Sequence, residues 1–460
     1  MERVAGSRGT SGASPRAVAL PDRGAHPTPP RSEAEDIDRE PNPLKRVFRM
    51  IGPGLVTGAA QADPSAIGTY AVAGATIGLP VLWTALFSLP LVAATENICA
   101  RLGLVTKTGL AGIIRRRYPK PVLYAAVALL SIATTVNIGA DLGAVADSLH
   151  LLSGLPALAL IPPVTIVILA FVIFGSYKLI STALKVLTLA LLAYVLDAFV
   201  LRPDLGTIAA ATLVPRLSLD REYVQVLVAI FGTTISPYLF FWQSDEEVEE
   251  KREEAEAYGR QAERATAADV THATVDVTSG MSASNVIMFF IIMSTALTLH
   301  AQHDTDIKSG ADAAAALRPL LGDLAGALFA VGMIGAGLLA VPVLSGATAY
   351  ALGETFGWRA GLDEKWYRAK PFYAVIAVAT LVGVGINFTG VNPIDALFLT
   401  SLMMGAVAPP LLVLVMLAAR DPAVMGERRI GPVLTAVGWL AVAVTFAVLA
   451  GLVYETLAAT

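Results

Sequence analysis

Eleven apolar runs, each long enough to cross a bilayer, dominate the sequence after residue 44 and determine its fold class. A membrane-spanning helix needs about 20 mostly apolar residues. The runs lie near residues 51–77, 80–99, 121–149, 155–174, 179–200, 223–242, 281–301, 323–351, 371–388, 393–418 and 431–452. Only 15% of the residues are charged, whereas a soluble protein carries about 25%. The chain is therefore predicted to be an all-α polytopic membrane protein.

The segments outside the runs suggest a simple domain organisation. Residues 1–44 are rich in Pro, Arg, Ser and Gly, and their apolar stretches are too short for a signal peptide, so a disordered cytoplasmic tail is predicted. Residues 45–460 are predicted to form one transmembrane transporter domain with an acidic cytoplasmic loop at about 245–277. The start of this loop is predicted to be a solvated helix. The single cysteine excludes an internal disulfide and a Cys-rich metal cluster.

Lys and Arg are distributed unevenly between the segments that alternate along the chain. They concentrate in the segments that include residues 45–49, 101–120, 251–264, 359–370 and 420–429. Because cytoplasmic loops are enriched in these residues, the N-terminus is predicted to lie in the cytoplasm and the C-terminus outside, in a bacterial inner membrane. No basic, aromatic-rich surface suggests nucleic-acid binding.

Two of the runs are interrupted by a polar residue followed directly by proline. Asp63-Pro64 interrupts the first run and Ser236-Pro237 interrupts the sixth. A carboxylate at bilayer depth costs a few kcal/mol, and proline breaks a helix. Broken helices at corresponding places of two five-span halves are how many secondary transporters build a substrate site at the membrane midplane. The sequence therefore predicts a binding site between the two breaks.

At the first break, Asp63 and the exposed backbone carbonyl of Ala60 are predicted to bind a metal cation. A buried carboxylate must be neutralised, paired or coordinating. Neighbouring residues predicted to line the same cavity are Gln61, Ser65 and Ala66. The alternative is that Asp63 only caps the second half-helix, with help from Ser65.

At the second break, Thr233 and Ser236 are predicted to offer oxygen ligands. Thr234 and Tyr238 are predicted to line the cavity beside them. The alternative is a kink at Pro237 that neighbouring hydroxyl groups satisfy, which transmembrane helices tolerate.

Two further intramembrane acids, Asp141 and Glu96, are predicted to lie on a proton or cation path because such residues are rare and usually functional. Asp141 could instead pair with a polar neighbour such as Asn137, and Glu96 could reach solvent or Arg101. The sequence contains no His-Glu-x-x-His motif, Walker loop or nucleophile elbow. An enzyme is therefore not expected.

Several motifs resemble the NRAMP family of divalent-metal transporters over roughly residues 45–452. Gly52-Pro53-Gly54-Leu55 followed by Asp63-Pro64 resembles the start of the family's first span. The segment 100–109, followed by Arg115-Arg116-Arg117-Tyr118, resembles the cytoplasmic loop after its second span. Asp141-Leu142 resembles its third-span acidic motif. The resemblance implies a LeuT-type 5+5 inverted repeat with about 11 helices, discontinuous helices 1 and 6, and alternating access, with the metal as cargo and no cofactor.

The chain departs from the family pattern at four positions. The family's Asp-Pro-Gly-Asn ends here in Ala66, its Met-Pro-His is replaced by Ser236-Pro237-Tyr238, and its third-span glutamate is replaced by Ala144. The loss of thioether sulfur favours ions that prefer oxygen ligands, Mg²⁺ or Mn²⁺, and resembles the magnesium-transporting branch related to NRAMP. Fewer acids and no sixth-span histidine indicate weak or absent proton coupling. Transport of a small organic solute such as an amino acid, and a non-transporting metal sensor, are the alternatives.

Overall fold

The structure, a computed structural model, describes a helical protein over most of the chain. The described residues are 33–50, 52–174, 196, 201, 203–259, 265–303, 307, 309–317 and 322–458. The predicted fifth span, 179–200, lies outside them apart from Leu196, as do residues 1–32 of the predicted tail.

The helices of the N-terminal half follow the predicted runs. They are α1 (Glu33–Asp38), α2 (Pro43–Met50), α3 (Pro53–Gln61), α4 (Pro64–Thr76), α5 (Trp83–Thr106), α6 (Leu110–Arg117), α7 (Lys120–Ser153) and α8 (Ala157–Phe174). α1 occupies part of the predicted disordered tail. It is helical here because Ala34 and Ile37 bury their side chains and the Glu33 backbone N–H donates to Glu254 at 2.5 Å.

The described helices of the C-terminal half begin at Leu205. They are α9 (Leu205–Leu213), α10 (Arg221–Thr234), α11 (Pro237–Tyr258), α12 (Ala267–Thr298), α13 (Gly310–Ala315), α14 (Ala325–Phe356), α15 (Lys370–Ile386), α16 (Pro393–Arg420), α17 (Pro422–Met425) and α18 (Pro432–Ala458).

Within the described residues, eight helical stretches are long and apolar enough to cross a membrane. The α10–α11 pair counts as one of these eight stretches, and α15 is a shorter apolar helix. The remaining described span is the broken pair α3–α4, whose halves are 9 and 13 residues long. The described helices thus match the predicted runs outside 179–200.

Both breaks have the same backbone design. One residue leaves the helix, the next is extended, and a proline begins the second half-helix. Ala62 has φ −85° and ψ 46°, and Asp63 has φ −69° and ψ 169°. Ile235 has φ −102° and ψ 64°, and Ser236 has φ −77° and ψ 126°. Proline is favoured at the first helical position because its missing N–H is not needed there.

Neighbouring helices hold the half-helices in place through very close contacts. α12 packs along both α3 and α4, and α16 packs against α4 and α10. A Cβ atom added at Gly58 would lie 2.3 Å from the Gly280 carbonyl carbon, and one added at Gly232 would lie 2.2 Å from the Ser401 carbonyl oxygen. Only glycine allows this approach, so the position of each half-helix depends on it.

The acidic segment differs from the prediction of a solvated helix. Residues 245–258 continue α11, but Glu247 is only 1% exposed, and Lys251 and Glu254 are also buried. Lys251 pairs with Glu254 and, at 2.8 Å, with Asp269 of α12. The charged residues of this segment therefore form contacts between α11, α12 and α1 rather than facing solvent, since buried charges require partners.

Candidate cation site

The two carboxylate oxygens of Asp63 have different roles. Oδ1 accepts hydrogen bonds from the Ala66 backbone N–H and the Ser65 hydroxyl, both at 2.7 Å. This is the N-cap of α4, so the capping role considered for Asp63 is present. Oδ2 instead points away from the cap, toward α7 and α11. Asp63 is 1% exposed, so this second oxygen is a buried acceptor available to another partner.

Asn137 on α7 bridges Asp63 to a second carboxylate. Its Nδ2 lies 3.2 Å from Asp63 Oδ2 and 3.4 Å from Asp141 Oδ2, one turn along the same helix. Both α7 side chains are fully buried. Two acids therefore meet at the N-terminal end of α4, where the helix dipole favours negative charge.

Tyr238 reaches from α11 across to the first break. Its hydroxyl donates to the Ala60 carbonyl oxygen at 3.0 Å and lies 3.5 Å from Asp63 Oδ2. The structure thus brings together the predicted cavity residue Tyr238 and both predicted ligands of the first break. A cation bound to the Ala60 carbonyl must displace this hydroxyl from it.

The polar groups of the second break face partly into their own helix. The Ser236 hydroxyl donates to the Gly232 carbonyl at 3.0 Å and to the Thr233 carbonyl at 2.7 Å. The Thr234 carbonyl accepts from Gln61 Nε2 at 3.1 Å, which ties the two breaks together. The predicted ligand Ser236 therefore offers only hydroxyl lone pairs, because its proton is engaged.

Not every predicted residue lies in this group. Ala66 is buried at the start of α4 and contributes only a methyl group. Glu96 is fully buried on α5, and neither of its carboxylate oxygens has a hydrogen-bond partner among the described residues. The structure supplies no hydrogen-bonded chain from Glu96 to Asp63 within the described part, so its predicted role on a proton path stays a prediction.

A row of buried polar side chains continues from the breaks along α3 and α11. The Thr57 hydroxyl donates to Gln243 Oε1 at 2.6 Å, and Gln243 Nε2 donates to Glu247 at 2.9 Å. One turn further, Asp276 of α12 accepts from the backbone N–H groups of Gly54 and Leu55. The row connects the site to the buried acidic groups at the far end of α11.

The donors described above are oxygen or amide groups, and the buried Met288 sulfur lies 3.9 Å from the Thr234 hydroxyl oxygen. Within the described residues no cluster of three or more His, Cys, Asp or Glu side chains is placed to hold a metal. Carboxylate, carbonyl and hydroxyl oxygens suit Mg²⁺, Ca²⁺ and Mn²⁺, whereas sulfur and imidazole suit softer metals. The arrangement can hold a small cation between two broken helices.

A comparison with protein families identifies the architecture. The family profile described as natural resistance-associated macrophage protein-like matches residues 54–455. The chain belongs to the NRAMP family. The predicted NRAMP resemblance is therefore confirmed.

Relatives and solved structures agree with this assignment. A divalent metal cation transporter, MntH, of Deinococcus radiodurans is 26% identical, covering 91% of this chain and 92% of the relative. One of the same name from Aeromonas hydrophila is 26% identical over 86% and 92%. The crystal structure of a manganese transporter of Eremococcus coleocola superposes with a TM-score of 0.69 at 18% identity, covering 88% of this chain and 86% of that one.

These likenesses settle the coarse predictions. The all-α, LeuT-type fold with discontinuous first and sixth helices is confirmed. The NRAMP chain is a multi-pass membrane protein of a transporter family and not an enzyme.

Asn137 and Tyr70 lie beside the breaks but are not among the predicted site residues. The sequence predicts Asn137 only as a partner of Asp141, and it predicts no role for Tyr70, whose hydroxyl lies 3.2 Å from Thr234 Oγ1. The available signal for Asn137 was an amide one helical turn before an intramembrane acid, which places both side chains on one face. Nothing in the sequence distinguished Tyr70 from an ordinary apolar-helix tyrosine.

Proposed function

We propose that this protein transports a divalent metal cation by alternating access, with Mg²⁺ or Mn²⁺ favoured and proton coupling weak or absent. The observation that carries the proposal is that the two carboxylate oxygens of Asp63 have different roles. One oxygen caps α4, and the other lies between α7 and α11, where its contacts with Asn137 and Tyr238 are long, at 3.2 and 3.5 Å. Capping alone needs only Oδ1, whereas a buried second acceptor is what a cation needs.

The ion preference rests on the donor set. Asp63, the Ala60 carbonyl and the hydroxyl groups of Thr233 and Ser236 are oxygen donors, and no thioether occupies position 236. Mg²⁺ keeps several of its waters and needs few protein ligands. The relatives named as divalent metal cation transporters, and the fold shared with a manganese transporter, support a metal cargo rather than an organic one.

Weak proton coupling is proposed because two titratable side chains of the family pattern are replaced in this chain. Ala144 stands where the family carries a glutamate, and Tyr238 stands where it carries a histidine. Histidine is the side chain whose ordinary pKa lies nearest physiological pH. Without these two side chains, fewer groups near Asp63 can bind and release a transported proton.

The remaining proposals concern placement in the cell. The Lys/Arg asymmetry supports a cytoplasmic N-terminus in the inner membrane, a tail at residues 1–44 and a transport domain at residues 45–460. The row of Thr57, Gln243 and Glu247 then leads toward the cytoplasm. The transported metal is cargo and not a cofactor.

The test is uptake into proteoliposomes of Mg²⁺, Mn²⁺, Ca²⁺ and Fe²⁺, with a pH dye inside. Two variants separate ligation from capping. Asp63→Asn keeps an N-cap of equal quality but removes the charge, and Asp63→Ala removes both. We expect uptake to fall by more than about 100-fold in both variants, because one formal charge is lost beside a divalent ion where screening is weak.

Four results would contradict the proposal or a part of it. Uptake by Asp63→Asn equal to wild type would show that the carboxylate only caps. Saturable amino-acid uptake without metal uptake would favour the organic-solute alternative. Specific metal binding without any flux would favour a sensor. Acidification of the vesicle interior in proportion to metal uptake would contradict weak proton coupling.

A further inference from the structure

Asn137 is the side chain whose surroundings the proposed function does not yet explain. It lies inside α7, fully buried, and its Oδ1 has no hydrogen-bond partner among the described residues. A buried amide oxygen without a partner destabilises the fold. A site that keeps such an oxygen beside two carboxylates calls for an explanation.

The hydrogen bonds that hold the amide are long. Nδ2 lies 3.2 Å from Asp63 Oδ2 and 3.4 Å from Asp141 Oδ2, at or beyond the usual 2.7–3.2 Å range for N–H···O bonds. One neutral donor is thus shared between two acids. A divalent cation in the same place would balance both charges, which the amide does not.

The same amide can present oxygen instead of nitrogen. Rotation about the terminal sp³–sp² bond of asparagine is broad and roughly two-fold. A half-turn exchanges Nδ2 for Oδ1 and aims the unpartnered oxygen at the position shared by the two carboxylates. Calcium and related ions accept asparagine carbonyl oxygens together with carboxylates.

Position 66 offers no side-chain ligand. The family pattern places an asparagine there, at the start of α4, but this chain has Ala66, a buried methyl group. Asn137 offers an amide oxygen from α7 instead, and its Nδ2 lies 3.2 Å from Asp63 Oδ2. Gln61 at the end of α3 has a second buried amide oxygen without a partner among the described residues, but its Nε2 is bonded to the second break rather than to the two carboxylates.

We infer that Asn137 is a ligand of the transported divalent cation, donating its side-chain oxygen beside Asp63 and replacing the amide oxygen absent at Ala66. The inference rests on the proposed function and names a residue that positions the cation between α4 and α7. Because α7 belongs to neither broken helix, it also makes the third span part of the binding site.

The test is Mn²⁺ affinity by titration calorimetry on the full-length protein in detergent. Asn137→Ala should weaken Mn²⁺ binding by about tenfold. Asn285→Ala is the matched control, because Asn285 is also a buried intramembrane amide with a free Oδ1 but is bonded to Ala85 and Ser88 of α5. The control should stay within about twofold of wild type.

Asn137→Asp separates ligation from simple support of Asp63. If Asn137 is a ligand, a carboxylate oxygen at 137 binds Mn²⁺ more tightly than Asn137→Ala does. If its only role is to donate to Asp63 and Asp141, a third negative charge repels them and Asn137→Asp binds no better than Asn137→Ala. That second result, or Asn137→Ala binding within about twofold of wild type, overturns the inference. Absence of Mn²⁺ binding by wild type would instead contradict the proposed function.

Discussion

The two helix breaks share a backbone but not a chemistry. Each has one residue leaving the helix, one extended residue and a proline that begins the next half-helix. At the first, Asp63 turns one oxygen to its own helix and one to its neighbours. At the second, Ser236 turns its only proton to its own helix, and Tyr238 reaches across to the first.

The difference indicates that the broken backbone is common to both sites, whereas the side chains determine what each break can bind. The first break carries the charged side chain, Asp63. The second break supplies neutral side chains, and its Tyr238 hydroxyl donates to the Ala60 carbonyl. The backbone requirement should therefore be equal at the two breaks, and the side-chain requirement unequal.

The largest expected effect tests the equal backbone requirement. Gly58→Ala and Gly232→Ala each place a Cβ within 2.3 Å of a neighbouring backbone atom, so the half-helices must shift. Overpacking of this kind costs about 1–3 kcal/mol or more. We expect both variants to lose thermal stability in detergent by similar amounts, measured by tryptophan fluorescence.

Gly385→Ala is the control for the glycine variants, because no heavy atom from another helix of the described residues lies within 4 Å of its added Cβ. It should be as stable as wild type or more so. A large loss of thermal stability at only one of Gly58 and Gly232 would contradict the prediction that the two breaks have equal backbone requirements.

A smaller effect is expected at the contact that joins the breaks. Tyr238→Phe removes the hydroxyl that a cation must displace from the Ala60 carbonyl. A typical hydrogen bond is worth about 1 kcal/mol net, so we expect Mn²⁺ to bind up to about fivefold more tightly in calorimetric titration. Weaker binding by Tyr238→Phe would show that the hydroxyl is itself a ligand.

The smallest effect concerns the ion preference of the second break. Ser236→Met introduces a soft sulfur where this chain has a hydroxyl. We expect uptake of Cd²⁺ relative to Mn²⁺ to rise by about threefold, since thioether ligands favour soft ions. An unchanged Cd²⁺-to-Mn²⁺ ratio in competition uptake would mean that side chains at position 236 do not face the cargo.

Much of this arrangement could be predicted from the sequence because its signals are local. A polar residue followed by proline inside an apolar run indicates each break, and an acid at that depth indicates a site. Proline alone is not enough, since Pro90, Pro342 and Pro409 lie inside continuous helices. The division of roles between the oxygens of Asp63 could not be predicted, since it depends on where α7 and α11 lie.

The failures have the same physical origin. The helix at 245–258 has the charge pattern of a solvated surface, but its partners Asp269 and α1 are distant in sequence, so its burial leaves no local trace. Ser236 offered a hydroxyl of the right type, and only the folded backbone shows that its proton goes to Gly232 and Thr233. Charge pairing and side-chain direction belong to tertiary structure.

The most direct test of the account compares one variant at each break. Mn²⁺ affinity is measured calorimetrically for wild type, Asp63→Asn and Ser236→Ala in the same detergent. The account predicts a loss of more than about 100-fold, or about 2.7 kcal/mol, for Asp63→Asn, which retains the cap, and a change within about threefold for Ser236→Ala. Equal losses at the two positions, or a larger loss at Ser236, would contradict it.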